Sequence, residues 1–113
     1  MITIWHNPRC SKSRMALTAL QERGDDPVVR KYLDDAPSLD ELRLAHQTLN
    51  IPVIDMMRSK DALFKELGLS ASDGDEALLA AMAAHPALIE RPIVFANGKA
   101  AIGRPTEAIF TIL

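Results

Sequence analysis

The chain has 113 residues, 48% of them hydrophobic and 25% charged, with a formal net charge of -2. At this length it is expected to form one domain that withdraws roughly two-thirds of its unfolded surface from water. Its charge balance excludes the long-range attraction to nucleic acid or anionic lipid that a basic protein exerts. A single cysteine rules out an internal disulfide, and the longest strongly apolar helical stretch covers only residues 77–84, far short of the roughly 18 residues a membrane span requires. A reducing, cytoplasmic setting is therefore the expectation.

ITIW, residues 2–5, is rich in β-branched and aromatic residues and is stopped by Asn7 and Pro8, which predicts a buried strand. From Ser11 the apolar positions Ala16, Leu17 and Leu20 recur at helical spacing, and Gly24 ahead of Asp25, Asp26 and Pro27 closes the helix. PVVRKYL, residues 27–33, predicts a second strand. The resulting βαβ unit has a right-handed crossover and parallel strands. Residues of about 38–90 then read as a helical insertion. Ser38 and Glu41 form a capping box, a second helix starts after a Ser59 cap and stops at Gly68, and a third runs from about Asp73 to Ala84. PIVFANGKAAI, residues 92–102, predicts a hairpin turning at Asn97 and Gly98, the pair that favours a type I′ turn. Pro105 is expected as the first residue of a terminal helix through TEAIFTIL. The order β, α, β, helical insertion, β, β, α predicts an α/β fold, a thioredoxin-like mixed sheet with the insertion between its βαβ and ββα halves.

In that topology the stretch HNPRCSKSR, residues 6–14, places Cys10 at the N-terminus of the first helix. Unpaired N–H groups and the helix dipole favour negative charge there, and basic neighbours lower a cysteine pKa further. His6, Arg9, Lys12 and Arg14 supply positive or polarisable partners, and Ser11 and Ser13 supply hydroxyl donors. Spacing excludes two common chemistries. A redox CxxC pair needs a cysteine at 13, where Ser13 stands, and a phosphatase loop needs an arginine six residues after the cysteine, where Ala16 stands. His6, His46 and His85 are scattered without metal-ligand spacing, so no metal is expected. What remains is one thiol at an anion-binding helix end. Outside the first helix, Arg58 precedes Ser59, whereas Arg91 and Arg104 each precede a proline, which restricts their backbones to extended conformations. In a thioredoxin-like fold the turn before the hairpin faces the tip of the first helix, so Arg91 is expected to approach Cys10.

HNPRCSKSR, the arginine of DMMRSK, and HPALIERPIVFANGKAAIGRPTE together resemble the glutaredoxin-coupled arsenate reductase family, often called the ArsC family, in order and along essentially the whole chain. The resemblance implies that Cys10 attacks arsenate while Arg58, Arg91 and Arg104 hold the oxyanion, and that His6 and Ser13 help to lower the thiol pKa. It also implies a cis peptide before Pro92, no bound cofactor, glutathione as co-substrate and a glutaredoxin as the final electron donor. One thiol cannot deliver two electrons by forming an internal disulfide, so an external thiol is required by chemistry as well.

Two rivals follow from the same residues. A thiol enzyme acting on another oxyanion or on a glutathione mixed disulfide would share the Cys10 nucleophile. A binding module like the Spx regulators, which contact RNA polymerase, would share the fold, although those regulators commonly carry the CxxC pair that Ser13 removes here. Trp5, Tyr32, Met56, Met57 and Met82 are expected in the packing.

Overall fold

The computed structural model describes residues 1–113. In chain order it contains β1 (Thr3–His6), α1 (Ser11–Glu22), β2 (Val28–Lys31), α2 (Leu39–Leu49), α3 (Ala62–Glu66), α4 (Asp75–Ala84), β3 (Ile93–Ala96) and β4 (Lys99–Ile102), with 3-10 turns at Val53–Met56, Pro86–Leu88 and Thr106–Ile112. Two compact units divide it: Met1–Asp35 with Arg91–Leu113, and Ala36–Glu90. No helix is long and apolar enough to cross a membrane.

The first unit is a four-stranded mixed sheet in the order β2-β1-β3-β4, a thioredoxin-like arrangement. β1 runs parallel to β2, with His6 across from Lys31, and antiparallel to β3. The β3–β4 hairpin turns at Asn97 and Gly98, whose φ values of 55° and 72° are those a type I′ turn demands. The alternation of β1 sends Ile4 into a core completed by Ala16 and Leu20 of α1, Val94 of β3, and Ile109 and Ile112. Each fully buried large aliphatic side chain contributes about 1.5–3 kcal/mol relative to exposure. Trp5 packs against Phe95 with ring centroids 5.0 Å apart, and the Arg30 guanidinium lies 5.7 Å from the Trp5 ring centroid. β2 is an edge strand, and Val28 and Val29 on it are exposed.

The predicted terminal α-helix is instead a 3-10 helix, and Pro105 precedes it as the N-cap rather than opening it. The physical reason lies in the residues. Thr106, Ile109, Thr111 and Ile112 are β-branched and weak in an α-helix, and Ile109 and Ile112 are spaced by three, the period of a 3-10 helix, which places both in the core.

The second unit is helical. The Ser38 hydroxyl accepts the Glu41 N–H at 3.1 Å while the Glu41 carboxylate accepts the Ser38 N–H at 3.0 Å, a reciprocal cap that starts α2. Asn50 ends it in the left-handed conformation. Leu42, Ala45 and Leu49 form the buried face of α2, which packs against α4, where Leu78, Leu79 and Met82 are buried. The first turn of α3 begins later than the predicted Ser59 cap. Asp61 serves as N-cap and accepts the Ala62 N–H, since Asp caps a helix as well as Ser does and Asp61 stands directly before the first helical residue. An isolated bridge between Met57 and Ile89, with the Arg58 N–H donating to the Leu88 carbonyl at 2.7 Å, pins the chain on either side of the helices.

Candidate active site

The loop between β1 and α1 is shaped by one asparagine. The Asn7 carbonyl accepts the Cys10 N–H at 3.0 Å and its side-chain Oδ1 accepts the Arg9 N–H at 3.0 Å, so the chain reverses over four residues. Cys10 then stands at the N-cap of α1 with extended backbone, and its side chain makes no capping bond. The backbone N–H groups of Lys12 and Ser13 in the first turn face the sulfur.

Behind the loop, Ser13 is fully buried. Its hydroxyl accepts the Asn7 N–H at 3.0 Å and pairs with His6 Nδ1 at 2.6 Å. That hydroxyl is committed, and Ser13 addresses the sulfur through its backbone N–H instead. His6 is itself buried. Burial first, and then the charges of Lys31 and Arg14, push its pKa below the ordinary histidine value, so the ring is neutral at pH 7.

Opposing effects act on the thiol. Burial raises the Cys10 pKa, but the hydrogen bond from the Arg91 guanidinium, the amides of Ser13 and Lys12, and the Arg91 charge together outweigh it and leave the thiol below its ordinary range. Arg104 approaches as well, with Nη2 at 3.6 Å from Sγ. Arg104 is exposed and its charge is screened by water, so the more buried Arg91 dominates the thiolate's stability. Burial works against the Arg91 charge in turn, yet Cys10 and Tyr32 facing it more than compensate.

What brings two guanidiniums to one sulfur is a close backbone approach. Gly103 donates its N–H to the Pro92 carbonyl at 2.9 Å, and Arg104 Nε donates to the Arg91 carbonyl at 2.8 Å. A Cβ at position 103 would lie 2.8 Å from Pro92 Cγ, so only glycine allows the two arginine-proline segments to meet this closely. The Arg91–Pro92 peptide is cis, as the resemblance implies, and so is Arg104–Pro105, which no sequence feature announces. Sequence reasoning also missed Asn7 and Gly103 as site-building residues. The signal for Gly103 was its place between the second strand of the hairpin and an arginine-proline pair.

The structure therefore gathers Cys10, Arg91 and Arg104, with His6 and Ser13 paired behind the loop. Arg58 belongs to the helical unit, where its guanidinium meets Asp61 at 2.9 Å and Glu90 at 3.6 Å. An anion facing the Cys10 sulfur would meet backbone N–H donors and fixed positive charge.

Fold and site together define a thioredoxin-like protein with one activated thiol in a cationic setting. Residues 5–112 match the ArsC family model, and the chain belongs to the ArsC family. It is 57% identical over 114 residues to an arsenate reductase of Neisseria meningitidis, spanning 99% of this chain and 97% of that protein. An arsenate reductase of Haemophilus influenzae is 46% identical, covering 99% of this chain and 98% of its own. The structure of an arsenate reductase from Vibrio cholerae superimposes with a TM-score of 0.96 at 51% identity, covering 99% and 97% of the two chains.

Proposed function

We propose that this chain is an arsenate reductase that uses Cys10 as its nucleophile and takes its electrons from glutathione and a glutaredoxin. The observation that carries the reading is the Cys10 thiol, held below its ordinary pKa range at a helix N-terminus and faced by Arg91 and Arg104. Near-identity of fold with arsenate reductases supports the substrate.

In the proposed reaction the Cys10 thiolate forms a sulfur–arsenic bond, and one arsenate oxygen takes up a proton and leaves as water. Glutathione thiolate then attacks the Cys10 sulfur. A sulfur–sulfur bond forms, the electron pair of the sulfur–arsenic bond remains on arsenic, and arsenic(V) becomes arsenic(III), released as arsenite. A glutaredoxin thiolate takes the glutathionyl group and returns Cys10 as a thiolate. Arg91, Arg104 and Arg58 are assigned to the oxyanion's charge, because planar guanidiniums match tetrahedral oxyanions with paired donors. His6 and Ser13 are assigned to holding the loop that presents the thiol.

The first test is the pH dependence of Cys10 alkylation with arsenate, with sulfate and with neither, followed by arsenite formation with the complete thiol system. A thiol pKa below the free value of about 8.5, protection by arsenate and turnover are expected. An ordinary pKa, no protection and no arsenite would overturn the reading, and Cys10→Ser serves as the blank.

A further inference from the structure

The proposed reaction needs a second thiol beside Cys10, and the sheet unit carries a groove of about 330 Å³ that starts at the cysteine loop. That volume lies at the small end of the ~300–1,000 Å³ typical of small-molecule sites. Pro8 and Leu33 give it apolar wall, His6 and Asn7 also line it, and Arg9, Lys31 and Asp34 supply its charges. We propose that this groove binds the glutathione tripeptide, a placement that rests on the arsenate reductase reading.

Three observations support it. First, the charges are uncommitted. Arg14 already donates to the Pro8 carbonyl, and Arg30 is tied to Asp35, but no ion pair or side-chain hydrogen bond holds Arg9, Lys31 or Asp34. Second, their signs match the ligand. Glutathione carries two carboxylates and one ammonium, and the groove offers two cations and one carboxylate. A simple oxyanion gains nothing from Asp34, whereas the ammonium of the tripeptide does. Third, the groove adjoins the nucleophile along the chain: Arg9 lines it and Cys10 follows directly, and an extended tripeptide spans about 10 Å. The register supports the placement, because Lys31 lies directly across the parallel pair from His6. The open groove along α1, by contrast, is lined by Arg14, already tied to Pro8, and by Glu22, which repels a carboxylate.

The test uses S-methylglutathione, which carries the same charges and cannot react. Titrated into the labelled full chain, it is expected to shift the backbone amides of residues 6–9 and 31–34 saturably. Lys31→Glu is expected to weaken that binding at least tenfold and raise the KM for glutathione, Lys31→Arg to restore both, and Asp34→Lys to weaken binding of the tripeptide more than of its des-amino analogue. Lys31 and Asp34 are exposed, so both variants are expected to fold, and their amide spectra check this. Shifts elsewhere, no saturable binding, or unchanged affinity in Lys31→Glu would overturn the groove. Arsenate protection of Cys10 is read separately, so loss of the arsenate reading and loss of the groove give different results.

Discussion

Two sets of polar contacts, one beneath the cysteine loop and one on the helical unit, use similar hydrogen bonds to different ends. Beneath the loop, His6, Asn7 and Ser13 are all buried, and each bond satisfies a group that water cannot reach. On the helical unit, Arg43 bonds Asp40 at 2.6 Å and Glu76 at 3.0 Å, yet Asp40 and Glu76 remain largely in water and Arg43 is half-exposed. The pairing raises the Arg43 pKa and lowers that of Glu76, but exposed pairs of this kind contribute little to stability. Short distances alone do not rank interactions. What decides is the cost of leaving the partner unpaired.

That comparison can be sharpened by substitution. Arg91→Ala removes the strongest stabiliser of the thiolate. Its arsenite formation is expected to fall on the order of 100-fold to 1000-fold, as for loss of an oxyanion donor, while the alkylation profile of Cys10 moves to higher pH. An unmoved profile would assign the thiolate to the helix amides alone. Gly103→Ala pushes a methyl group against the Pro92 ring and shifts Arg104. Turnover is expected to fall roughly tenfold to 100-fold from this displacement, with the alkylation profile of Cys10 moving less than in Arg91→Ala because the Arg91 guanidinium and the Lys12 and Ser13 amides are all retained. Steady-state rates and alkylation of the same preparation check both parts.

Ser13→Ala strands His6 Nδ1 and the Asn7 N–H in the interior. Chemical denaturation is expected to show a loss of about 1–3 kcal/mol for each orphaned group. The pH dependence of stability isolates His6. Its folded pKa lies below the ordinary value, so between about pH 6.5 and that lower value the unfolded chain binds a proton that the folded chain does not. Stability therefore falls as pH falls through this window, by at most about 1.4 kcal/mol per pH unit, and His6→Gln is expected to flatten this limb in denaturation curves at pH 7 and pH 5.5. At the small end, Arg43→Ala is expected to leave the thermal midpoint unchanged within measurement error. A large fall would show that the α2–α4 pairing is a structural clamp.

Much of this was legible in the sequence because local rules and the global fold agree. The capping box at Ser38 and Glu41, the Asn97–Gly98 turn and the apolar period of α1 each specify one conformation, and each appears. The terminal segment misleads because proline at a helix start is common to several helix types, and only the three-residue spacing of Ile109 and Ile112 distinguishes them. The place of Cys10 at the start of α1 was legible in the sequence, whereas the charge that lowers its pKa comes from Arg91 and not from the basic side chains beside it. The commitment of the Ser13 hydroxyl was not legible, since a serine reads the same whether its oxygen faces a sulfur or a buried imidazole. The position of Gly103 signalled a junction but not its contact, because that contact depends on a proline eleven positions earlier in the chain.

The exposed valines of β2 add a constraint on how this surface can change. Val28 and Val29 sit on an open strand edge, the kind of template on which chains aggregate, and the exposed Lys31 beyond them keeps like copies apart by charge. Lys31 thus guards solubility while serving the groove. Exchange for another charged residue leaves the guard in place, whereas Lys31→Val would extend the apolar edge and favour stacking of chains into sheets.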